Sequence, residues 1–420
     1  MLKNMSNLIN HKGVEFELNL ERFNYILDLF GLTKEEFISR LNEGRKREVL
    51  NLNELNDILN KKAKIKFSVL NKIDKLFEKG VTWYISKREL PEREGSSIFF
   101  RKNKFNISSK LNLDTIKLTN KFEERNFEIQ TLCKFIDFDA KRKLNKYTTN
   151  DNPEKVAVQL LEDFQKIEND LLSKKIIKKV KDNDKEALKN LIHIIEEFNI
   201  FVFEFVENWN KKEKADFDGF FVKPNMIVIK RQKYFRREIF TLLHEFAHYL
   251  LDNEEIDKVH EDILVNRNGK IERWCNTFTY TFLIGDYGRE IEGLDYACEE
   301  NNFYEDEVNS IYKNTLLSKS AIYTGLRIRN KISQEDYTKK IKSINDSINR
   351  ELDKKRFEGV EKREALKKQG IKPKGGSQKP IQSNLFKEIV KINYFQGNID
   401  ENSLCDFLKI KPDRIGREIY

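Results

Sequence analysis

The chain has 420 residues, with 78 Lys and Arg against 69 Asp and Glu, for a net charge of +9. Charged residues make up 35%, while Pro and Gly number only 6 and 17; this balance points to a mainly helical protein of two or three domains with ample core. Four dispersed cysteines (Cys133, Cys275, Cys298, Cys405) with no CxxC pair suggest neither a disulfide framework nor a thiolate zinc ribbon. No apolar run approaches the ~18 residues of a membrane span, and Met1 to Leu20 lacks the apolar core and cleavage site of a secretion signal. A cytoplasmic protein with no membrane partner is therefore expected.

Residues 1–90 read as a helical N-terminal region. Phe23, Ile26, Leu27 and Phe30 recur at helical spacing over Leu18 to Phe30. Gly31-Leu-Thr33 turns the chain, and Thr33 with Glu36 forms a capping box for a helix carrying Phe37, Ile38 and Leu41. A later helix is expected over Ser68 to Glu78. Residues 91–200 form a mostly helical middle region, in which Ser96-Ser-Ile-Phe-Phe-Arg-Lys102 reads as a short strand with a solvated end rather than a nucleic-acid contact. Asn150-Asp-Asn-Pro153 turns the chain into a helix over Val156 to Leu172, and a second clear helix covers Asp184 to Phe198. His193 lies beside Leu191, Ile194 and Ile195 on the apolar side of that helix, where a satisfied core histidine is expected rather than a ligand.

At Phe201-Val-Phe-Glu-Phe-Val-Glu207 the period changes from helical to alternating or continuously apolar, which marks a strand. With Phe220–Val222 and Met226–Ile229 it predicts a small sheet backing the helix that follows. That helix, Thr241-Leu-Leu-His-Glu-Phe-Ala-His-Tyr-Leu-Leu251, carries the most informative pattern of the chain. His244 and His248 are four apart and share one face, one turn from each other. Glu245 sits beside them, within reach of a water bound to the same ion. The chain has five histidines, so an HExxH arising by chance has odds under about one in a hundred.

A zinc peptidase needs three protein ligands and an open position for water, with Glu245 as the general base on that water. A metzincin would place a histidine six residues past the second one; that position is Glu254, with no glycine before it, so this class fails. His260, the only later histidine, lies in an acidic, loop-like stretch and reads as an exposed polar residue. Glu272 is the better third ligand. It opens the run Ile271-Glu-Arg-Trp-Cys-Asn-Thr-Phe-Thr-Tyr-Thr-Phe-Leu-Ile284, a buried helix after the turn at Asn268-Gly269, and two ligand-bearing helices are a usual way to assemble a His-His-Glu site. Taken alone, a glutamate in the first turn of a helix is also explained by the helix dipole. Cys275 falls on the apolar face of this helix as a small core residue.

The HEFAHYLL helix followed by Glu272-x-x-Cys275-Asn276-x-Phe278-x-x-x-Phe282-Leu283 resembles the ImmA/IrrE family of metallopeptidases, which pairs HExxH with a second helix of pattern E-x-x-A-N-x-F-A-x-x-L-L. Phe217-Asp-Gly-Phe-Phe-Val-Lys223 and Met226-Ile-Val-Ile-Lys230 resemble the hairpin ahead of the active-site helix, and Arg236-Arg-Glu-Ile-Phe-Thr-Leu-Leu243 its lead-in. Cys275 and Thr279 stand where the family has Ala, and Gly285 where Pro often ends the helix; these departures touch packing rather than ligands. The resemblance is specific over residues 200 to 290. It implies a zincin-like core at 201–335, with His244, His248 and Glu272 as zinc ligands and Glu245 as catalytic base. It also implies a protein substrate: an intracellular XRE-type transcriptional repressor, cut once to release stress, mobile-element or phage-related genes. Tyr280 and His260 are the candidates for stabilising the oxyanion. The N-terminal helices resemble a degraded XRE-type helix-turn-helix without a clear recognition-helix pattern, so DNA binding and a plain helical scaffold both stay open.

Tyr304 to Tyr337 reads as helices, and Ser318-Lys-Ser-Ala-Ile-Tyr-Thr-Gly-Leu-Arg327 resembles the family's post-catalytic helix. Residues 336–382 are expected to form a charged helix and linker. Between 335 and 380 stand 14 Lys and Arg against 8 Asp and Glu, so six of the nine net positive charges are local. A solvated helix ending at Lys372-Pro-Lys-Gly-Gly-Ser-Gln-Lys-Pro380 is the expected form, with a phosphate-contacting arm as the rival. Residues 383–420 form a small helical module: Phe386, Ile389, Val390 and Ile392 line its first helix, Gly397-Asn398 turns the chain, and helices start at Asp400 and Lys411. A helix-turn-helix, a lid and a docking module for the substrate protein all fit that layout. The expected fold class is α+β, mostly helical, with a small sheet behind the HExxH helix and helical flanks. The rival function is a non-catalytic regulator or antitoxin-like binding protein on the same scaffold, against which the intact HExxH argues.

Overall fold

The computed structural model describes residues 14–88, 113–180, 183–207, 215, 217–254, 269–372 and 379–419. The expected strand at Ser96–Lys102, His260 and most of the linker after Lys372 lie outside these residues. Contacts divide the chain into two compact units, one up to Glu123 together with Ala215 and the other from Glu124 onward. No helix of the described residues is long and apolar enough to cross a membrane.

The first unit contains β1 (Glu15–Phe16), α1 (Leu20–Leu29), α2 (Lys34–Asn42), α3 (Leu52–Leu59), β2 (Ile65–Lys66) and α4 (Phe67–Phe77). The capping box at α2 is reciprocal: Glu36 N–H donates to Thr33 Oγ1 at 3.2 Å, and Thr33 N–H donates to the Glu36 carboxylate at 2.9 Å. A second box, Asn51 with Glu54, starts α3. That eight-residue helix escaped the sequence reading because only Leu55 and Ile58 face inward, too few to display a period. Phe23, Phe37, Leu41, Leu70, Ile73 and Phe77 fill the core between these helices.

The division between units falls within α5 (Leu113–Phe135). Then come α6 (Pro153–Ser173), α7 (Asp184–Glu196), β3 (Phe201–Phe205), β4 (Gly219–Val222), β5 (Met226–Lys230), α8 (Phe235–Leu250) and α9 (Lys270–Ile284). Asn152 caps α6, with Pro153 in the first turn, where its missing N–H costs nothing. The sheet order is β3-β5-β4, with β3 parallel and β4 antiparallel to β5. The strands are buried almost throughout, which is why their sequences read as continuous apolar runs rather than alternation. Helix α8 is buried at every position from Glu238 to Leu250. Its partners on the other side are aromatic: the Phe164 ring of α6 lies 5.5 Å from Phe246 and 4.9 Å from Phe282, and Trp274 stacks on Phe278 at 5.5 Å. These rings fix α8 against α9, the two helices that carry the HExxH pattern and Glu272.

Beyond α9 the chain forms α10 (Gly288–Gly293), α11 (Glu305–Asn314), α12 (Lys319–Ile328) and α13 (Gln334–Lys368), then α14 (Asn384–Phe395), α15 (Glu401–Leu408) and α16 (Ile415–Glu418). The fold is thus α+β and mainly helical. Helix α13 buries only Tyr337 and leaves Phe357 65% exposed, the solvated form that its charge density implies. In α14 the inward face differs from expectation by one position. Ile392 is exposed, and Asn393 is buried in its place, with its amide donating to the Leu132 carbonyl at 3.0 Å.

Gly325 in the middle of α12 is demanded by Tyr280 of α9: a Cβ there would overlap the Tyr280 hydroxyl and Cζ. Gly325→Ala is expected to cost ~1–3 kcal/mol of stability by overpacking. In a Tyr280→Leu background the struck atoms are gone, so the added cost should shrink. An equal cost in both backgrounds, by denaturant titration, would refute this account.

Residues after the linker tie into the core of this unit. Glu204 N–H of β3 donates to the Ile381 carbonyl at 2.9 Å, and Ile381 N–H donates to the Glu204 carboxylate at 2.6 Å. Glu204 also pairs with Arg231, which in turn stands 3.6 Å from the Glu238 carboxylate in the first turn of α8. Asn384 N–H donates to Glu196 at 2.8 Å, and His193 is half-buried with Nε2 3.3 Å from the Asn384 amide.

Burial pushes the Glu196 carboxyl up to about 7, against hydrogen bonds from Ser383, Asn384 and Leu385 that favour the anion. A group raised in the folded state contributes stability below its unfolded value and loses it as pH rises through the folded value. Glu196→Gln should therefore gain on the parent protein between pH 4.5 and about 7. Unfolding titrations at about pH 5 and pH 8 are expected to differ in this gain by on the order of 3 kcal/mol; a pH-independent difference would contradict the linkage.

Candidate metal centre

Helix α8 places His244 and His248 one turn apart with their Nε2 atoms 3.2 Å from each other. The first turn of α9 brings Glu272 opposite them, its carboxylate oxygens 3.2 Å from His244 Nε2 and 3.1 Å from His248 Nε2. All three are buried, at 1%, 2% and 7% exposure. They form the one group of three or more His, Cys, Asp or Glu with mutually close ligand atoms among the described residues.

The size of this triangle tests whether the residues fit a zinc ion. Ligand atoms at ~2.0–2.1 Å in a tetrahedral shell lie about 3.3 Å from one another. The two imidazole nitrogens, 3.2 Å apart, are close to that edge, and each lies as close to a different Glu272 oxygen, His244 to Oε2 at 3.2 Å and His248 to Oε1 at 3.1 Å. A hard carboxylate with two imidazoles is also a donor set that suits zinc. The donors therefore fit the ion.

Burial raises the Glu272 carboxyl, but hydrogen bonds and charge from His244 and His248 outweigh it and hold the group well below the usual carboxylate range. The anion is the form that binds a metal. The Nδ1 atoms of both histidines and the Asn276 amide nitrogen, one turn along from Glu272, have no hydrogen-bond partner among the described residues.

Glu245 is 2% exposed, on the same helix as the two histidines but outside the triangle. Its side chain lies against Gly219 at the start of β4. Just before this glycine, Asp218 is held by both oxygens: Gln232 donates at 2.6 Å and Arg237 at 2.9 Å. Neither Gly219 nor Asp218 stood out in the sequence as a site residue, although a glycine opening an otherwise bulky apolar strand is a signal of close backbone approach.

Tyr280 does not join the site. It follows Glu272 by two turns, about 12 Å along the helix axis, and its hydroxyl faces Gly325. It is thus removed as an oxyanion candidate, and His260 lies outside the described residues.

A buried HExxH helix, backed by a mixed three-stranded sheet and faced by a second helix with a glutamate, is an arrangement of peptidase type. Residues 195–287 match the family model of the IrrE N-terminal-like domain, a peptidase family. The matched span runs from the end of α7 through the sheet and α8 to the turn after α9, so the similarity covers the elements that carry the donor set and Glu245. No curated protein and no solved structure matches the chain.

Proposed function

We propose that the protein is a zinc-dependent endopeptidase of the HExxH type, with His244, His248 and Glu272 as ligands and Glu245 as general base. The observation that carries this reading is the buried, mutually close donor set of His244, His248 and Glu272 with a further glutamate beside it on the same helix. Zinc held there would polarise a peptide carbonyl and lower the pKa of a bound water to about 7. Glu245 takes the proton from the attacking water and delivers it to the leaving amine, two transfers that suit one flexible carboxylate. The apolar walls supplied by Leu243, Phe246 and Phe278 keep bulk water from competing for these groups. Among the described residues β4 is a terminal strand of its sheet, and an extended substrate laid along such an edge would pass close to Gly219 and Glu245.

The substrate in this reading is a cytoplasmic regulatory protein such as an XRE-type repressor, cut at one place to derepress stress, mobile-element or phage-related genes. Its support is the sequence resemblance around the lead-in, the HExxH helix and Glu272. Co-expression with a repressor encoded beside this chain, read by intact-mass spectrometry, tests it. One new pair of fragments is expected with the parent protein and none with Glu245→Gln. A stable complex with no cut in either case would favour the non-catalytic binding protein instead.

A further inference from the structure

We propose that Gly219 is a positioning residue for Glu245: its missing side chain lets the β4 backbone seat the Glu245 carboxylate. An ideal Cβ at 219 would lie 2.9 Å from Glu245 Cγ, 3.0 Å from Glu245 Oε1 and 2.7 Å from Thr241 Cγ2. Gly219 is not among the glycines with positive φ, so its backbone conformation does not require glycine. Space does. Thr241 and Glu245 are one turn apart on the face of α8 that β4 crosses, and both are buried.

When a side chain enters at 219, something must move. The strand cannot easily back away: Gly219 is paired with Ile229, and Asp218 is pinned by Gln232 and Arg237. The helix cannot either, since it is buried along its length. Thr241 is β-branched and stiff at χ1, whereas Glu245 has three rotatable bonds. Once the Thr241 methyl is removed, as in a serine, Glu245 is therefore the group that yields, swinging its carboxylate away while His244, His248 and Glu272 stay in place. Gly219 thus selects the rotamer of the base without touching the ligands.

This inference rests on the reading of Glu245 as the general base of a metal centre, and the experiment separates the two. The full chain is loaded with Co²⁺ in four forms: parent, Glu245→Gln, Thr241→Ser and Gly219→Ala/Thr241→Ser. The serine removes the methyl at the shortest contact and leaves the contacts to Glu245. Melting temperature, Co²⁺ affinity by chelator competition and the pH midpoint of the cobalt visible absorption are measured for each. The double variant is expected to melt near Thr241→Ser and to bind Co²⁺ within about threefold of it, a difference under 1 kcal/mol. Its absorption midpoint should move in the same direction as that of Glu245→Gln, by about one pH unit, because a carboxylate charge has left the metal's neighbourhood.

A midpoint unchanged in the double variant but shifted in Glu245→Gln overturns the proposal alone. So does a double variant that fails to fold while Thr241→Ser folds, for then the glycine serves packing as such. A parent that takes up no Co²⁺ overturns the metal-centre reading and this inference with it.

Discussion

Glu245→Gln is expected to reduce cleavage by about 10²–10⁴-fold, the range for losing a positioned general base, while zinc content and melting temperature stay at parent levels. Gln has the shape of Glu and fits the same space against Gly219, but it cannot accept the proton of the attacking water. Glu245 lies outside the group of mutually close ligand atoms, so its charge is not needed to hold the ion. Single-turnover cleavage, metal analysis and a thermal melt on one preparation decide the matter. If zinc disappears together with cleavage, Glu245 is part of the metal's support rather than a base, and the mechanism above fails.

Glu272→Ala should lower zinc affinity by more than about a hundredfold, beyond what the loss of a supporting residue around a metal site costs. It removes one vertex of the triangle and its only anion, leaving two imidazoles 3.2 Å apart. Glu272→Gln keeps the shape and loses the charge, so it should fall between the two. Chelator competition at fixed pH measures all three proteins. Full affinity in Glu272→Ala would sink the third-ligand assignment and send the search to residues outside those described, His260 among them. The helix itself should survive either change, because the Trp274, Phe278 and Phe282 rings hold α9 without help from Glu272.

What the sequence made legible was local. His244 and His248 on one helix face, the Thr33–Glu36 box, the start at Asn152-Pro153 and the three apolar strands are each written within a few residues; the strands lie within two or three residues of their expected places, whereas the HExxH helix starts earlier, at Phe235 rather than Thr241. Glu272 needed more, since a glutamate in a first turn has an ordinary explanation; the pattern of the following helix supplied it. Tyr280, an oxyanion candidate in the sequence, is carried out of reach by the rise along the helix axis.

The features that stayed hidden depend on distant partners. Gly219 and Gly325 are explained only by the side chains of Glu245 and Tyr280. Arg231 is explained by two carboxylates on different elements. Ile381 reaches Glu204 from 177 residues away. No window along the chain contains such pairs. Asn393 is a milder case, a polar residue turned inward because the Leu132 carbonyl waits there.

The contact between Ile381 and Glu204 bears on how this protein avoids sticking to itself. A strand at the margin of a sheet offers its backbone as a template to any passing chain, and folds survive by covering such margins. Among the described residues β3 is such a margin, built of Phe201, Val202, Phe203, Glu204 and Phe205, and Ile381, past the charged helix, accepts the Glu204 N–H there. A shortened version ending before Ile381 would keep every group assigned to the chemistry and still lose its guard against fibrous association. The far end of this chain thus acts as a selvedge, the finished border that stops a fabric from running.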